Sequence, residues 1–198
     1  MAAIAGPMAK YTYRIAKTQL MAKGWSSLFK LHVKTTAADG STTMLLREVA
    51  DHGHGAAILP VDHARGLCLL VRQWRAGAAF TGHDGWMIEA CAGLLDEDDP
   101  AGCATREAME ELGCNVHNVK HVSTCFSTPG AVSEKTSLFV GEYAAADRVA
   151  MGGGLASEHE DIEVLEMPLK KAFAMIASGE ISDAKTIILL QHVMITNR

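Results

Sequence analysis

The stretch GLLDEDDPAGCATREAMEELG, Gly93 to Gly113, decides how the rest of the chain is interpreted. Its second part predicts a helix over 100–112, because proline suits the first turn of a helix and glycine commonly ends one. Residues three and four apart share one face of a helix. Glu107, Glu110 and Glu111 are therefore predicted to converge on one side of it.

This cluster of glutamates runs against two local preferences. Like charges at positions i and i+4 destabilise a helix by a few tenths of a kcal/mol, and the helix dipole disfavours anions near the C-terminus. One interpretation is a solvated acidic face in which Arg106 bridges to Glu110. The other is a metal site, because clustered carboxylate oxygens suit Mg²⁺ or Mn²⁺, which bind hard oxygen ligands together with phosphates.

The composition limits the class of protein. The 198 residues are 48% hydrophobic and carry a formal net charge of −5, which suits a globular domain with a small appendage and argues against a nucleic-acid partner. The apolar runs are too short to cross a bilayer, and the N-terminus lacks the apolar core of a signal peptide. Five cysteines without a C-x-x-C pair predict reduced, mostly buried thiols in a cytoplasmic protein.

Strand and helix patterns alternate and predict a mixed α/β class. A β-hairpin is predicted over 27–49, with its turn at Asp39 and Gly40. Further strands are predicted at 55–62, 67–75, 119–126, 136–143 and 161–167, and further helices at 168–179 and 183–195. The segment GGGLASEHED, 152–161, is predicted to be a flexible loop.

The first fifty residues are predicted to form a separate β unit, 1–50, ahead of a main domain, 51–198. A unit of about fifty residues buries too little surface to be stable alone. It is expected to pack on the main domain or on a second subunit.

The stretch from Gly93 onward resembles the Nudix box, the loop–helix–loop signature of hydrolases that cleave a diphosphate linked to another group. The family pattern is Gly, five residues, Glu, seven residues, then Arg-Glu-apolar-x-Glu-Glu-x-Gly-apolar. Matching positions are Gly93, Arg106, Glu107, Ala108, Glu110, Glu111, Gly113 and Cys114. Asp99 stands at the first glutamate and keeps its charge for a capping or supporting role, and the stretch before Arg106 is one residue short.

The resemblance covers nearly all of the chain from Trp25 onward. EACAGLLDEDDP, STPGAVSEKTSLF, GGGLASEHEDIEVLEMPLKKAF and GEISDAKTIILL resemble the GDP-mannose pyrophosphatase branch, a neighbour of the ADP-ribose pyrophosphatases. REVADHGHGAAILP and LLVRQWR extend it into the N-terminal half. It implies an α/β/α sandwich with a mixed sheet, and a homodimer in which the N-terminal unit lies at the interface and is exchanged between subunits.

The resemblance also implies a metal site and its catalytic groups. The carbonyl of Ala92 and the side chains of Glu107, Glu111 and Glu160 match family ligands for Mg²⁺, for which Mn²⁺ is a possible substitute. Glu110 adds a ligand or orients one. Glu158 matches the base of ADP-ribose hydrolases, with a solvated loop charge as the alternative.

Substrate contacts are implied at a further set of positions. Arg75 matches an arginine that contacts the diphosphate, with a surface cation at a strand end as the alternative. Trp25 matches an aromatic that stacks on the base, with a core tryptophan as the alternative. The remaining positions are Arg47 and Glu48, which reach the partner subunit's ligand, and Gly93, Leu94, Glu134, His159 and Lys185.

The implied reaction is Mg²⁺-dependent hydrolysis of GDP-mannose to GMP and mannose 1-phosphate. Leu46, where a lysine is expected, and His159, where an aspartate is expected, leave ADP-ribose or another nucleotide sugar as the alternative substrate. A Nudix-fold sensor without turnover is a further alternative, and the intact Arg106, Glu107, Glu110 and Glu111 argue against it.

Overall fold

The computed structural model describes residues 10–95, 99–155 and 161–196. The chain divides into two compact units, Met1–His52 with Thr128–Glu134, and Gly53–Ser127 with Lys135–Arg198. The short segment Thr128–Glu134 thus groups with the first unit although it lies far along the chain. Ala50 donates its backbone N–H to Ala131 at 2.8 Å and accepts one from Ser133 at 3.0 Å.

The first unit is a three-stranded antiparallel sheet in the order β1 (Tyr11–Lys23), β2 (Ser27–Ala37) and β3 (Thr42–Asp51). The β2–β3 hairpin confirms the prediction, and Ser41 donates its N–H to Asp39 Oδ1 at 2.9 Å in the turn. The sequence did not predict β1. All of its residues are exposed, and register shifts after Ile15 and after Leu20 interrupt the alternation that identifies a strand.

The second unit is built on a seven-stranded mixed sheet. Its main path runs β10 (Ile162–Pro168), β5 (Leu67–Trp74), β4 (Gly55–Asp62), β9 (Lys135–Glu142) and β8 (His117–Phe126). The β4–β9 pair is parallel and the other neighbours are antiparallel. These five strands were predicted to within a few residues at each end.

Two short strands, which the sequence did not predict, fill a split in this sheet. β4 and β5 pair only near their turn, at Val61–Cys68 and Asp62–Leu67. Where they separate, β6 (Trp86–Glu89) pairs with β5 and β7 (Cys91–Leu94) pairs with β4. The chain therefore crosses from one side of the split to the other at Ala90.

Helices cover both faces of the sheet. α1 (Ala76–Phe80) is a short exposed helix, α2 (Pro100–Leu112) packs on one face, and α3 (Leu169–Ser178) and α4 (Ala184–Thr196) pack on the other. Alternate residues of a strand point to opposite faces, so Ala56 and Ile58 join the core under α2 while Ala57 and Leu59 join the core under α3 and α4. This confirms the mixed α/β sandwich. The bounds of α2 agree with the sequence prediction, and α1 was not predicted.

The five cysteines are free thiols, and Cys68, Cys91, Cys103 and Cys114 are buried. Burial raises the pKa of Cys68 to about 12. The prediction of reduced, mostly buried thiols therefore agrees with the structure.

Candidate active site

Helix α2 begins at a side-chain cap. Asp99 Oδ1 accepts hydrogen bonds from the backbone N–H of Ala101 at 2.9 Å and of Gly102 at 3.1 Å, and Pro100 occupies the first turn. Such a cap satisfies backbone donors that have no partner inside the helix. Asp99, which stands where the family has a glutamate, thus caps the helix, as expected.

The C-terminal half of α2 places two carboxylates against β7. Glu111 is 2% exposed, and its Oε2 accepts the backbone N–H of Ala92 at 3.2 Å. The carboxylate of Glu107 lies so close over Gly93 that a Cβ atom on Gly93 would overlap it. Both glutamates therefore meet the strand that carries the Ala92 carbonyl.

Glu110 shares a cation with Glu107. Arg106 Nη1 lies 2.9 Å from Glu107 Oε1 and 2.9 Å from Glu110 Oε2. Arg106 thus offsets the repulsion between Glu107 and Glu110, while Glu111 is buried against β7. The predicted bridge from Arg106 to Glu110 is present, but Glu111 is 2% exposed and the side chain of Glu107 is 12% exposed, so the three glutamates do not form a solvated acidic face.

The chemistry of these donors fits a hard divalent cation. Glu107, Glu111 and the Ala92 carbonyl offer oxygen ligands, which Mg²⁺ and Mn²⁺ prefer. Burial, followed by the nearby charge of Glu111, raises the pKa of the Cys91 thiol well above its usual value.

A complete ligand set is not present among the described residues. Within 10–95, 99–155 and 161–196, no three His, Cys, Asp or Glu side chains are grouped so that they could hold a metal ion. Three predicted site residues, Glu158, His159 and Glu160, lie outside the described residues.

A second set of charges joins Arg75 to Lys185. Arg75 follows β5 and forms a two-point ion pair with Glu89, with Nε–Oε1 at 2.9 Å and Nη2–Oε2 at 3.1 Å. The ammonium of Lys185 contacts the same Oε2 and also Asp183 Oδ1, the latter at 2.9 Å. The structure brings two of the predicted substrate-contacting cations, Arg75 and Lys185, together through Glu89, a carboxylate that the sequence did not identify.

Glu89 was missed although the sequence contains a signal for it. It is a charged residue within the otherwise apolar run WMIEACAG, and buried charges are rare unless they are paired. Its partners are 14 and 96 residues away along the chain. A local pattern therefore indicates that Glu89 needs a partner but does not say which one.

The glycines at 152–154 follow a short 3₁₀ helix, Ala145–Asp147, and pack against the end of α2. Gly153 donates its N–H to Glu111 O at 2.8 Å, and Gly154 donates to Glu110 O at 3.2 Å. Gly152 has φ +70°, and a Cβ there would lie 2.3 Å from Glu111 O. Residues 152–154 lie in neither a helix nor a strand, which agrees with the predicted loop, and the amides of Gly153 and Gly154 satisfy carbonyls at the end of the helix.

Comparison with known proteins decides the family. Residues 51–190 match the family model described as NUDIX domain. The chain belongs to the Nudix family. The GDP-mannose pyrophosphatase of Klebsiella pneumoniae is 42% identical over 180 residues, which are 90% of this chain and 90% of that protein. The GDP-mannose pyrophosphatase of Cronobacter sakazakii is 40% identical over 182 residues, 91% of this chain and 94% of that protein.

A solved structure, the crystal structure of ADP compounds hydrolase, has the same fold. It superposes with a TM-score of 0.71 and covers 98% of each chain at 15% sequence identity. At this identity the likeness supports the Nudix fold alone.

Four of the other predicted substrate residues of this Nudix protein, Trp25, Arg47, Glu48 and Glu134, lie in the first unit. Trp25 is 78% exposed and stacks on His52, with ring centroids 4.9 Å apart, so the alternative of a core tryptophan is wrong. Arg47 and Glu48 are exposed on β3. Glu134 is half-buried in the segment Thr128–Glu134. In the second unit, Leu94 is partly exposed beside Gly93 at the end of β7.

Proposed function

We propose that this Nudix hydrolase converts GDP-mannose and water to GMP and mannose 1-phosphate with Mg²⁺. The observation that carries the proposal is the placement of the Glu107 and Glu111 carboxylates against Ala92 and Gly93. Relatives that are named GDP-mannose pyrophosphatases and match about nine-tenths of the chain support the substrate.

The Ala92 carbonyl, Glu107, Glu111 and Glu160 would hold the metal. When bound, a divalent metal neutralises charge on the diphosphate and makes water a better nucleophile. Arg106 keeps Glu107 and Glu110 from repelling each other, at 2.9 Å from each. Glu111 is fixed by the Ala92 N–H, so the fold orients it before any ligand binds.

The remaining groups act on substrate. Arg75 contacts the diphosphate, and Glu158 is the candidate that takes the proton of the attacking water. Trp25 stacks on the base. Further substrate contacts are assigned to Arg47, Glu48, Gly93, Leu94, Glu134, His159 and Lys185.

ADP-ribose is the second candidate substrate, with AMP and ribose 5-phosphate as products. It is favoured by two residues of the sequence, Leu46 in place of an expected lysine and His159 in place of an expected aspartate. Leu46 is 54% exposed on β3, so its side chain is available to contact a ligand or another chain.

The proposal extends to a homodimeric assembly and a cytoplasmic location. Tyr13, Ile15 and Met44 are among its exposed large apolar side chains, which supports a homodimer with the predicted N-terminal unit, 1–50, exchanged across the interface and 51–198 as the hydrolase domain. Free, buried cysteines support a cytoplasmic location. Within the described part of the chain, no helix has the length and apolar character needed to cross a membrane.

A panel of nucleotide sugars tests the proposal. GDP-mannose, ADP-ribose, GDP-glucose and UDP-glucose are compared by kcat/KM with Mg²⁺, with EDTA as the metal-free control and Glu111→Gln as the inactive control. We expect GDP-mannose to give the highest kcat/KM. A tenfold or larger preference for ADP-ribose would assign the second substrate instead.

A further inference from the structure

A row of alternating charges runs from the start of α4 to the end of β5, entirely within the second unit. Its members, in order, are Asp183, Lys185, Glu89 and Arg75. Glu111 is close enough for its charge to contribute to the raised pKa of Arg75. The charge of Glu111, one of the glutamates assigned to the metal, therefore acts on the Arg75 end of the row.

Glu89 is the centre of this row. One oxygen accepts from Arg75 Nε, and the other accepts from both Arg75 Nη2 and Lys185 Nζ. The Glu89 side chain is 4% exposed. Burial opposes its ionisation, but the hydrogen bonds from Arg75 and the charge of Lys185 lower its pKa overall. If this carboxylate rotated away, Arg75 would lose its ion pair with Glu89 and Lys185 would keep only its ion pair with Asp183.

The other end of the row is fixed by the backbone. Asp183 Oδ2 accepts from the N–H of Thr186 at 2.9 Å and from its hydroxyl at 2.5 Å. The Thr186 oxygen in turn accepts the N–H of Ala90 at 2.7 Å, where the chain crosses the split between β4 and β5. Helix α4 thus contacts both the Glu89 carboxylate, through Lys185, and the backbone next to Glu89, through Thr186.

We infer that Glu89 is a positioning residue, which holds the Arg75 guanidinium in the orientation that receives the substrate's diphosphate. The ion pair uses Nε and Nη2 of Arg75, and 42% of that side chain remains exposed, whereas Lys185 is 18% exposed. Arg75 is therefore the member of the row that can contact a ligand most freely. The inference rests on the proposed function in taking a diphosphate as the ligand of Arg75.

Four variants test this role. Glu89→Gln removes the charge and keeps the size, and Glu89→Asp keeps the charge and shortens the side chain. Arg75→Ala and the double variant Arg75→Ala/Glu89→Gln test whether Glu89 acts through Arg75. Glu163→Gln is the matched control, because Glu163 on β10 pairs with Arg72 on β5 at 3.2 Å in an exposed position. KM and kcat are measured with GDP-mannose. The Kd of inorganic pyrophosphate with Mg²⁺ is measured by calorimetry.

We expect Glu89→Gln to raise KM and the pyrophosphate Kd about tenfold and to change kcat by less than about twofold, because it removes binding common to the ground and transition states. Glu89→Asp should give a smaller change in the same direction. In the Arg75→Ala background, Glu89→Gln should add less than about twofold, because it acts through Arg75. KM does not depend on the fraction of folded enzyme, so partial unfolding cannot imitate this result.

Unchanged KM and Kd in both Glu89 variants would overturn the inference. So would an equal effect of Glu89→Gln with and without Arg75, or the absence of pyrophosphate binding to the wild type. If the wild type binds pyrophosphate but does not hydrolyse GDP-mannose, the proposed substrate is wrong, and the pyrophosphate measurements still decide the role of Glu89.

Discussion

Replacing Gly93 by alanine would test whether the close approach of Glu107 to β7 is needed for function. A Cβ atom on Gly93 would lie 1.9 Å from Oε1 and 2.1 Å from Cδ of Glu107, whereas real Cβ atoms stay at least 3.0 Å from such atoms. The carboxylate must therefore move by about 1 Å. Because it is the end of a flexible side chain, we expect the free energy of unfolding to fall by no more than about 1 kcal/mol.

The effect on catalysis should be much larger. A displacement of about 1 Å in a catalytic group can lower the rate by about 100-fold, which corresponds to about 2.7 kcal/mol of transition-state stabilisation. We expect Gly93→Ala to lower kcat/KM by about that factor and to require more Mg²⁺ for half-maximal activity. The assay is GMP release during a Mg²⁺ titration, with thermal unfolding measured in parallel.

Gly77→Ala is the matched control, since Gly77 lies in α1 and a Cβ there would meet nothing within 4 Å. It should retain wild-type kcat/KM. If Gly93→Ala also kept kcat/KM within about threefold of the wild type with the same Mg²⁺ requirement, the placement of Glu107 at the metal would have to be given up.

Three further changes have distinct expected results. Glu111→Gln should leave the free energy of unfolding of the metal-free protein unchanged or raise it by a few tenths of a kcal/mol. Its activity should fall by orders of magnitude, and Mg²⁺ should raise its Tm less than it raises the Tm of the wild type. An increase in Tm with Mg²⁺ equal to that of the wild type would contradict this expectation. Asp99→Ala should lower the free energy of unfolding by about 0.5–2 kcal/mol in a denaturant titration, and Asp99→Asn should restore most of it. Gly152→Ala should lower the Tm more than Gly179→Ala, because both have positive φ but only Gly152 would place a Cβ against Glu111 O; equal Tm values would mean that the contact with α2 is unimportant.

The sequence predicts best where local signals mark both ends of an element. Helix α2 has Asp99 and Pro100 at its start and Gly113, with φ +63°, at its end, and its bounds were predicted correctly. The main strands of the sheet have long apolar runs between turns. By contrast, β6 and β7 are four residues each, and their strand conformation depends on the split between β4 and β5, which no local pattern encodes.

The candidate site was predictable in part for a similar reason. Helical spacing places Glu107, Glu110 and Glu111 on one side, but tertiary packing decides that Glu111 is buried against Ala92 while Glu110 pairs with Arg106. The place of Glu89 in the site depends on its ion pair with Lys185, which tertiary packing of α4 creates and no local pattern predicts.

The packing of the glycine run on α2 has a consequence for how this protein could change in evolution. Gly153 and Gly154 bind the end of α2, and Ile162 pairs with Gln73 where β10 begins. The sequence between these two attachment points carries Glu158, His159 and Glu160. Insertions or deletions confined to this sequence would leave the registers of α2 and β10 in place. We therefore expect new substrate preferences to arise by changes of length and composition here, with little loss of the stability of the fold.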